Sequence, residues 1–139
     1  MLGSLVVAAA AATSPCALVT KADVVRTLHW TVDNGREVAY RLPQTSGEIC
    51  RYESGDGTIL VTVPDRGSSF FQNNDLVDPF KNGLGTSVPG LGASVTMFDN
   101  TAYVSKHGRS ISVAILATAG AADERALTAF AKILVKRMR

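Results

Sequence analysis

His107, Asp99 and the serines of the same stretch are the residues of this chain whose types could support covalent chemistry. A histidine, an acid and a hydroxyl make a hydrolytic centre when they converge and the nucleophile sits on a strained turn. The spacing here argues for something plainer. Asp99-Asn100 and His107-Gly108 are pairs that tolerate left-handed backbone, so each reads as a two-residue hairpin turn. No Gly-x-Ser-x-Gly sequence occurs. A small serine-type hydrolase using His107 therefore stands as an alternative, testable by a serine-reactive probe whose labelling His107→Ala abolishes. His29-Trp30 falls at the end of a helical pattern, where His commonly caps carbonyls and Trp covers a core edge.

The other constellations are incomplete. Residues 82–92 are rich in glycine, and Gly83, Leu84, Gly85, Val88, Pro89, Gly90, Leu91 and Gly92 invite comparison with a phosphate loop. No Gly-Lys-Ser/Thr follows, and Val88 stands where a third fingerprint glycine belongs. The stretch reads as a connecting loop with apolar members, a candidate partner-binding lip. Asp56, Asp65, Asp75 and Asp78 are not spaced as a calcium loop. Two histidines and two cysteines without a CxxC pair make a poor zinc site, so no metal and no cofactor are expected. Tyr40, Arg51 and Tyr52 lie on early strands beside Arg41. Aromatic and Arg side chains sharing a sheet face could form a second binding surface.

A chain of 139 residues makes one domain with a sizeable core. A net charge of +2 is too small to imply a nucleic-acid surface. Lys132, Lys136, Arg137 and Arg139 suit the negative end of a C-terminal helix, solvated there. Residues 2–12 form a short apolar, Ala-rich run, about half of the ~20 residues a bilayer span requires, so no transmembrane span is expected. The run resembles the hydrophobic and cleavage regions of a signal peptide. No Lys or Arg precedes Lys21, so the basic region of such a signal is missing; the start lies further upstream or was trimmed. Residues 1–14 are accordingly set apart from a domain at 15–139. Cys16 and Cys50 are either two free thiols or one disulfide, and an exported chain favours the disulfide.

The elements that would position these residues follow from periodicity. Thr20 with Asp23 three residues on reads as a capping box opening a helix that ends near His29. Its apolar stripe is Ala22, Val25 and Leu28. Asp33-Asn34-Gly35 is a turn, and residues 37–42 an edge strand stopped by Pro43. Strands at 47–53 and 58–63 flank the hairpin loop Ser54-Gly55-Asp56-Gly57. A second helix is predicted over about 68–81, kinked by Pro79. Strands at 95–98, 101–106 and 109–117 form a meander, the last with Ile111, Val113 and Ile115 on one side. A helix over about 121–137 closes the chain, with Leu127, Phe130, Ala131, Leu134 and Met138 on one face. The predicted fold is α+β: a curved antiparallel sheet of two meanders in the order helix, strands, helix, strands, C-terminal helix, with helices mainly on one face.

Cys16-Ala-Leu-Val-Thr20, Cys50-Arg-Tyr52, Val88-Pro-Gly-Leu-Gly92, a meander and a closing amphipathic helix together resemble a family of small exported bacterial proteins. Many of its members are lipoproteins of actinobacteria, and it is classed as a domain of unknown function. Members often read Cys-x-Leu-Leu-Thr, Cys-x-Tyr or Cys-x-Trp, and Val-Pro-Gly-Leu-Gly-Asp. Here Ala93 stands in place of that Asp, and Pro15 precedes the cysteine, which suits a disulfide half better than a lipid anchor. The resemblance implies an exported location and a Cys16–Cys50 bond, and supplies no catalytic residues. The expectation from sequence is an exported, non-enzymatic binding domain, periplasmic, secreted or associated with the cell envelope. Its partner would be a protein or small ligand there, not nucleic acid. A further alternative is an assembly subunit that docks by its apolar N-terminus.

Overall fold

The structure is a computed structural model that describes residues 14–43, 45–65, 85–118 and 123–138. Among the described residues the chain runs α1 (Pro15–Leu18), α2 (Lys21–Leu28), β1 (Arg36–Arg41), β2 (Ser46–Ser54), β3 (Gly57–Pro64), β4 (Thr86–Ser87), β5 (Ser94–Phe98), β6 (Thr101–Lys106), β7 (Arg109–Ala117) and α3 (Glu124–Arg137). The strands form one antiparallel sheet in the order β1-β2-β3-β7-β6-β5-β4. Two meanders are thus joined through β3 and β7, with Val61 opposite Val113. The α+β reading with two meanders and a C-terminal helix holds. The predicted helix over 68–81 lies outside the described residues. α1 and the two-residue β4 were not foreseen; four residues and two residues are too few to set a periodicity.

Strand register separates the two faces. Cys50, Val61, Val113 and Ala102 lie in one row across the sheet, and Tyr52, Ile59 and Ile115 in the next. All of these are buried. They meet Leu18, Val19 and Val24 from the N-terminal end and Leu127, Phe130, Ala131 and Leu134 from α3. Apolar alternation on β3 and β7 and the four-residue repeat on α3 therefore point into one shared core. Tyr52, 1% exposed, donates its hydroxyl to the Val19 carbonyl at 2.7 Å. Burial is the main reason its ionisation is pushed up to about 12, with Asp23, Glu37 and Asp33 adding to the shift.

α2 starts as expected, with the reciprocal Thr20–Asp23 capping box, and ends at His29 in left-handed conformation. Its buried face differs from the apolar stripe. Ala22 is exposed and Val25 is 40% exposed, while Asp23 and Val24 are buried. The helix is turned because the Asp23 carboxylate has strong partners inside. Arg137 reaches it with Nη1 at 2.5 Å and Nη2 at 3.2 Å, Arg26 at 2.6 Å, and the Thr20 N–H and hydroxyl at 2.8 and 2.9 Å. Burial, the largest influence on this carboxyl, works against its ionisation. The hydrogen bonds from Arg137 and Thr20 together outweigh it and hold the pKa at about 2, below the ordinary 3.8. Arg137 is therefore not a solvated helix-end cation: it also donates to the Leu18 carbonyl at 2.9 Å, tying the last helix to the first.

Cys16 and Cys50 are disulfide-bonded, with Cα atoms 5.1 Å apart, and the bond pins α1 to the middle of β2. Thiol titration of the unreduced protein should find neither sulfur reactive. Replacing both by Ser should lower stability by about 2–4 kcal/mol in chemical denaturation, as expected for a bridge across 34 residues. The pH dependence has a defined sign. A carboxyl whose folded pKa lies below its unfolded value contributes stability that is complete above the unfolded pKa and lost as pH falls through the folded one. For Asp23 that places a loss of about 2 kcal/mol between roughly pH 4 and pH 2. Asp23→Asn should flatten that part of the stability profile while lowering the plateau above pH 5.

Candidate functional site

The face of the sheet opposite the core carries the most distinctive surface among the described residues. Register lines up Val38, Ile49, Thr62, Ser112, Tyr103 and Thr96 across six strands. The neighbouring row is Arg36, Arg51, Leu60, Ala114, Thr101 and Phe98. Between Tyr40 at one side and Tyr103 at the other lies an open depression of about 390 Å³. Ile49, Leu60, Thr62, Thr101, Ser112 and Ala114 line its floor, and Leu42 and Thr45 of the β1–β2 turn close one end. None of the lining residues is charged.

Local sequence explains the positions of both tyrosines. Tyr40 faces Gly47 across the β1–β2 ladder. A Cβ on Gly47 would lie 2.8 Å from the Tyr40 hydroxyl and 2.4 Å from the Val63 carbonyl. The missing side chain is what lets the ring lie over the strand, an aromatic covering a strand glycine. The Tyr40 hydroxyl is hydrogen-bonded to Thr45, and partial burial is the main cause of its raised pKa. Tyr103 is held between Ser112 and Thr96 on flanking strands and bonds to Thr101. Its pKa is raised chiefly by burial too. Both phenols therefore stay protonated at neutral pH. The floor combines the hydroxyls of Thr62, Thr101 and Ser112 with the aliphatic Ile49, Leu60 and Ala114, so it offers hydrogen-bonding groups and apolar contact on a rigid ladder.

The candidate sheet-face trio is split. Tyr40 and Arg51 share the open face, but Tyr52 points the other way into the core, because adjacent strand residues alternate. Arg51 is exposed and turned along its own strand to Glu53, at 2.9 Å. The loop candidate is split as well. Gly83 and Leu84 lie outside the described residues. Gly85, Gly90 and Gly92 take left-handed backbone, and Pro89 is exposed. Val88 and Leu91, however, pack against the core, and Val88 N–H bonds to the Val95 carbonyl at 2.9 Å. The apolar members of this loop seal the sheet end more than they form a lip. The signal that could have found the depression is the run of Thr and Ser on the outward positions of β3, β6 and β7.

The possible catalytic residues do not gather. His107 sits with Gly108 in the β6–β7 turn, both with positive φ, and Asp99 in the β5–β6 turn. The six residues of β6 lie between them, about 20 Å of strand. The nearest serines, Ser105 and Ser110, bond to each other at 2.7 Å. No group of metal-ligating side chains occurs among the described residues, and no described helix is long and apolar enough to cross a membrane. Comparison with family models, curated proteins and solved structures finds no match to this chain.

Gly47 is the position on which the Tyr40 wall depends. Gly47→Ala should cost about 1–3 kcal/mol by overpacking. It should also displace the Tyr40 ring, read as a change in its aromatic NMR shifts while those of Tyr103 stay in place.

Proposed function

We propose that this chain is an exported, non-enzymatic binding domain whose working surface is the open sheet face between Tyr40 and Tyr103. The observation that carries the reading is the uncharged, hydroxyl-lined depression with an aromatic ring at either side. Aromatic faces take up the C–H face of a ring, and Thr and Ser hydroxyls bond its polar substituents. The absence of charge from the lining favours a neutral ligand, since a charged one would be desolvated there without a counter-ion. A neutral ring compound bearing hydroxyl or amide groups, such as a sugar of the cell envelope, fits that description. Export is supported by the Cys16–Cys50 disulfide, a bond that persists in oxidising compartments, together with the apolar run at residues 2–12. The same bond is what membership of the exported, lipoprotein-like family of unknown function would imply, and that membership is part of this proposal.

Titration with neutral sugars and N-acetylated amino sugars, followed by methyl and aromatic NMR, tests the reading. Saturable shifts at Ile49, Leu60 and Tyr103 are expected. Tyr103→Ala should weaken binding by ~10-fold, the loss of one stacked ring. Shifts confined to other surfaces, or none at millimolar ligand, would defeat it.

A further inference from the structure

Among the described residues the two edges of the sheet are built differently. β4, at one edge, is only the two residues Thr86–Ser87, followed by Pro89 and Gly90. Short strands and prolines are the usual means of blunting an edge. β1, at the other, is six residues long, continuous in register with β2, and contains no Pro, Lys or bulge. Its side chains are exposed at every position but Tyr40. The phase of its hydrogen bonding is set at the turn, where Leu42 N–H bonds to the Thr45 carbonyl at 2.8 Å. In an antiparallel ladder the bonded pairs alternate. Tyr40, Val38 and Arg36 therefore spend their backbone groups on β2, and those of Glu37, Ala39 and Arg41 point outward.

We infer that β1 is a self-pairing edge, on which a second copy of this chain adds antiparallel about a two-fold axis at Ala39. The residue order makes this register complementary. Glu37 falls opposite Arg41 of the second copy, and Arg41 opposite its Glu37. These residues lie on the helix side of the sheet. Val38 falls opposite Tyr40 on the open side, an aliphatic–aromatic cross-strand pair. Ala39 meets itself, with nothing to clash. All the outward N–H and C=O groups of Glu37, Ala39 and Arg41 are then engaged in both copies. A centre at Val38 sets Glu37 against Ala39 and Arg36 against Tyr40; a centre at Tyr40 sets Arg41 against Ala39. Neither pairs the charges. Glu37 already accepts from the Ser14 hydroxyl and the Cys16 N–H, both through Oε1. Those bonds orient the carboxylate and leave Oε2 for the incoming guanidinium. The product is one sheet running through both copies, closed by symmetry. Tyr40 stands at the seam, so the two open-face depressions become neighbours on one surface.

Edge pairing buries little area, so the association is weak and must be followed to about millimolar concentration. Sedimentation equilibrium of the intact disulfide-bonded chain should show a reversible monomer–dimer transition. Arg41→Glu, which sets Glu37 against a glutamate, should raise the dissociation constant by at least ~10-fold. Ala39→Pro removes an outward N–H and no bond to β2, so it should leave a folded monomer. Ala39→Cys should give a dimer cross-linked through position 39 on mild oxidation, since directly opposed bonded residues lie at about 5.5 Å, within disulfide reach. Peptide mapping separates that link from any exchange with Cys16–Cys50. A chain that stays monomeric throughout, a dimer indifferent to Arg41→Glu, or an Ala39→Cys variant that does not cross-link would each overturn the inference.

Discussion

Asp23 accepts hydrogen bonds from Thr20, Arg26 and Arg137 while only 1% exposed, and the placement of the helices follows from it. Taking a carboxylate out of water costs several kcal/mol unless its oxygens are saturated with donors. Here saturation draws on groups from three places: the capping residue Thr20 of α2, Arg26 in the last turn of α2, and Arg137 at the end of α3. The carboxylate can be buried only if α3 ends where Arg137 reaches both it and the Leu18 carbonyl. A second cation fixes the same helix end from the sheet. Lys106 of β6 donates to the Val135 and Met138 carbonyls at 2.8 and 3.3 Å, satisfying groups that a helix C-terminus leaves orphaned. The basic C-terminal turn is thus gripped from both sides, and the disulfide and the Tyr52 hydroxyl secure the N-terminal helices to the same sheet face.

This constraint marks where the sequence was and was not legible. Strands β2, β3, β5, β6 and β7 were readable because alternation is local and turn pairs such as His107-Gly108 announce themselves. Joining the two meanders through β3 and β7 was not readable, since pairing between residues such as Ile59 and Ile115 leaves no mark on either strand alone. The start of α2 was legible from its capping box and its end from the His29 position, but its buried face was not. Hydrophobic periodicity assumes that the apolar stripe goes inward, and in α2 a paired acid displaces it. No pattern in the helix itself reports a partner 114 residues away. Likewise the parity of β2 sends Tyr52 inward and Arg51 outward. That follows from strand geometry, and only the identity of the core face was missing. The open-face depression is less legible still, because its two tyrosines are neighbours only through the β2, β3 and β7 strands between them.

The two faces of the sheet divide labour by composition without giving up strand propensity. On β3 the inward positions are Ile59, Val61 and Val63, and the outward ones Thr58, Leu60 and Thr62. Valine and threonine are nearly the same shape, and both favour extended backbone. Exchanging one for the other therefore changes what a face offers without changing the ladder. Among the described residues the inner face is covered by helices and clipped by a disulfide, so the backbone beneath the outer face is fixed before any ligand arrives. Hydroxyls and phenols mounted on such a ladder lose little freedom on binding, which is the condition for a shallow site to bind at all.

The same fixity bears on the edge. Main-chain groups on a mobile loop would have to be ordered before they could template another strand. Those of Glu37, Ala39 and Arg41 lie on a strand paired with β2 in unbroken register over six residues, from Arg36 opposite Arg51 to Arg41 opposite Ser46. An edge already in strand geometry, with its charges spaced to meet their opposites in a reversed copy, gives up little backbone freedom on association; what opposes pairing is rigid-body entropy, side-chain ordering and the desolvation of the groups that pair. The anchoring of Glu37 by Ser14 and Cys16 makes this edge depend on the disulfide as well, since Cys16 holds the segment that orients the carboxylate. Covered face and edge are therefore coupled through α1, which the disulfide seats on β2 and whose first residues hold Glu37.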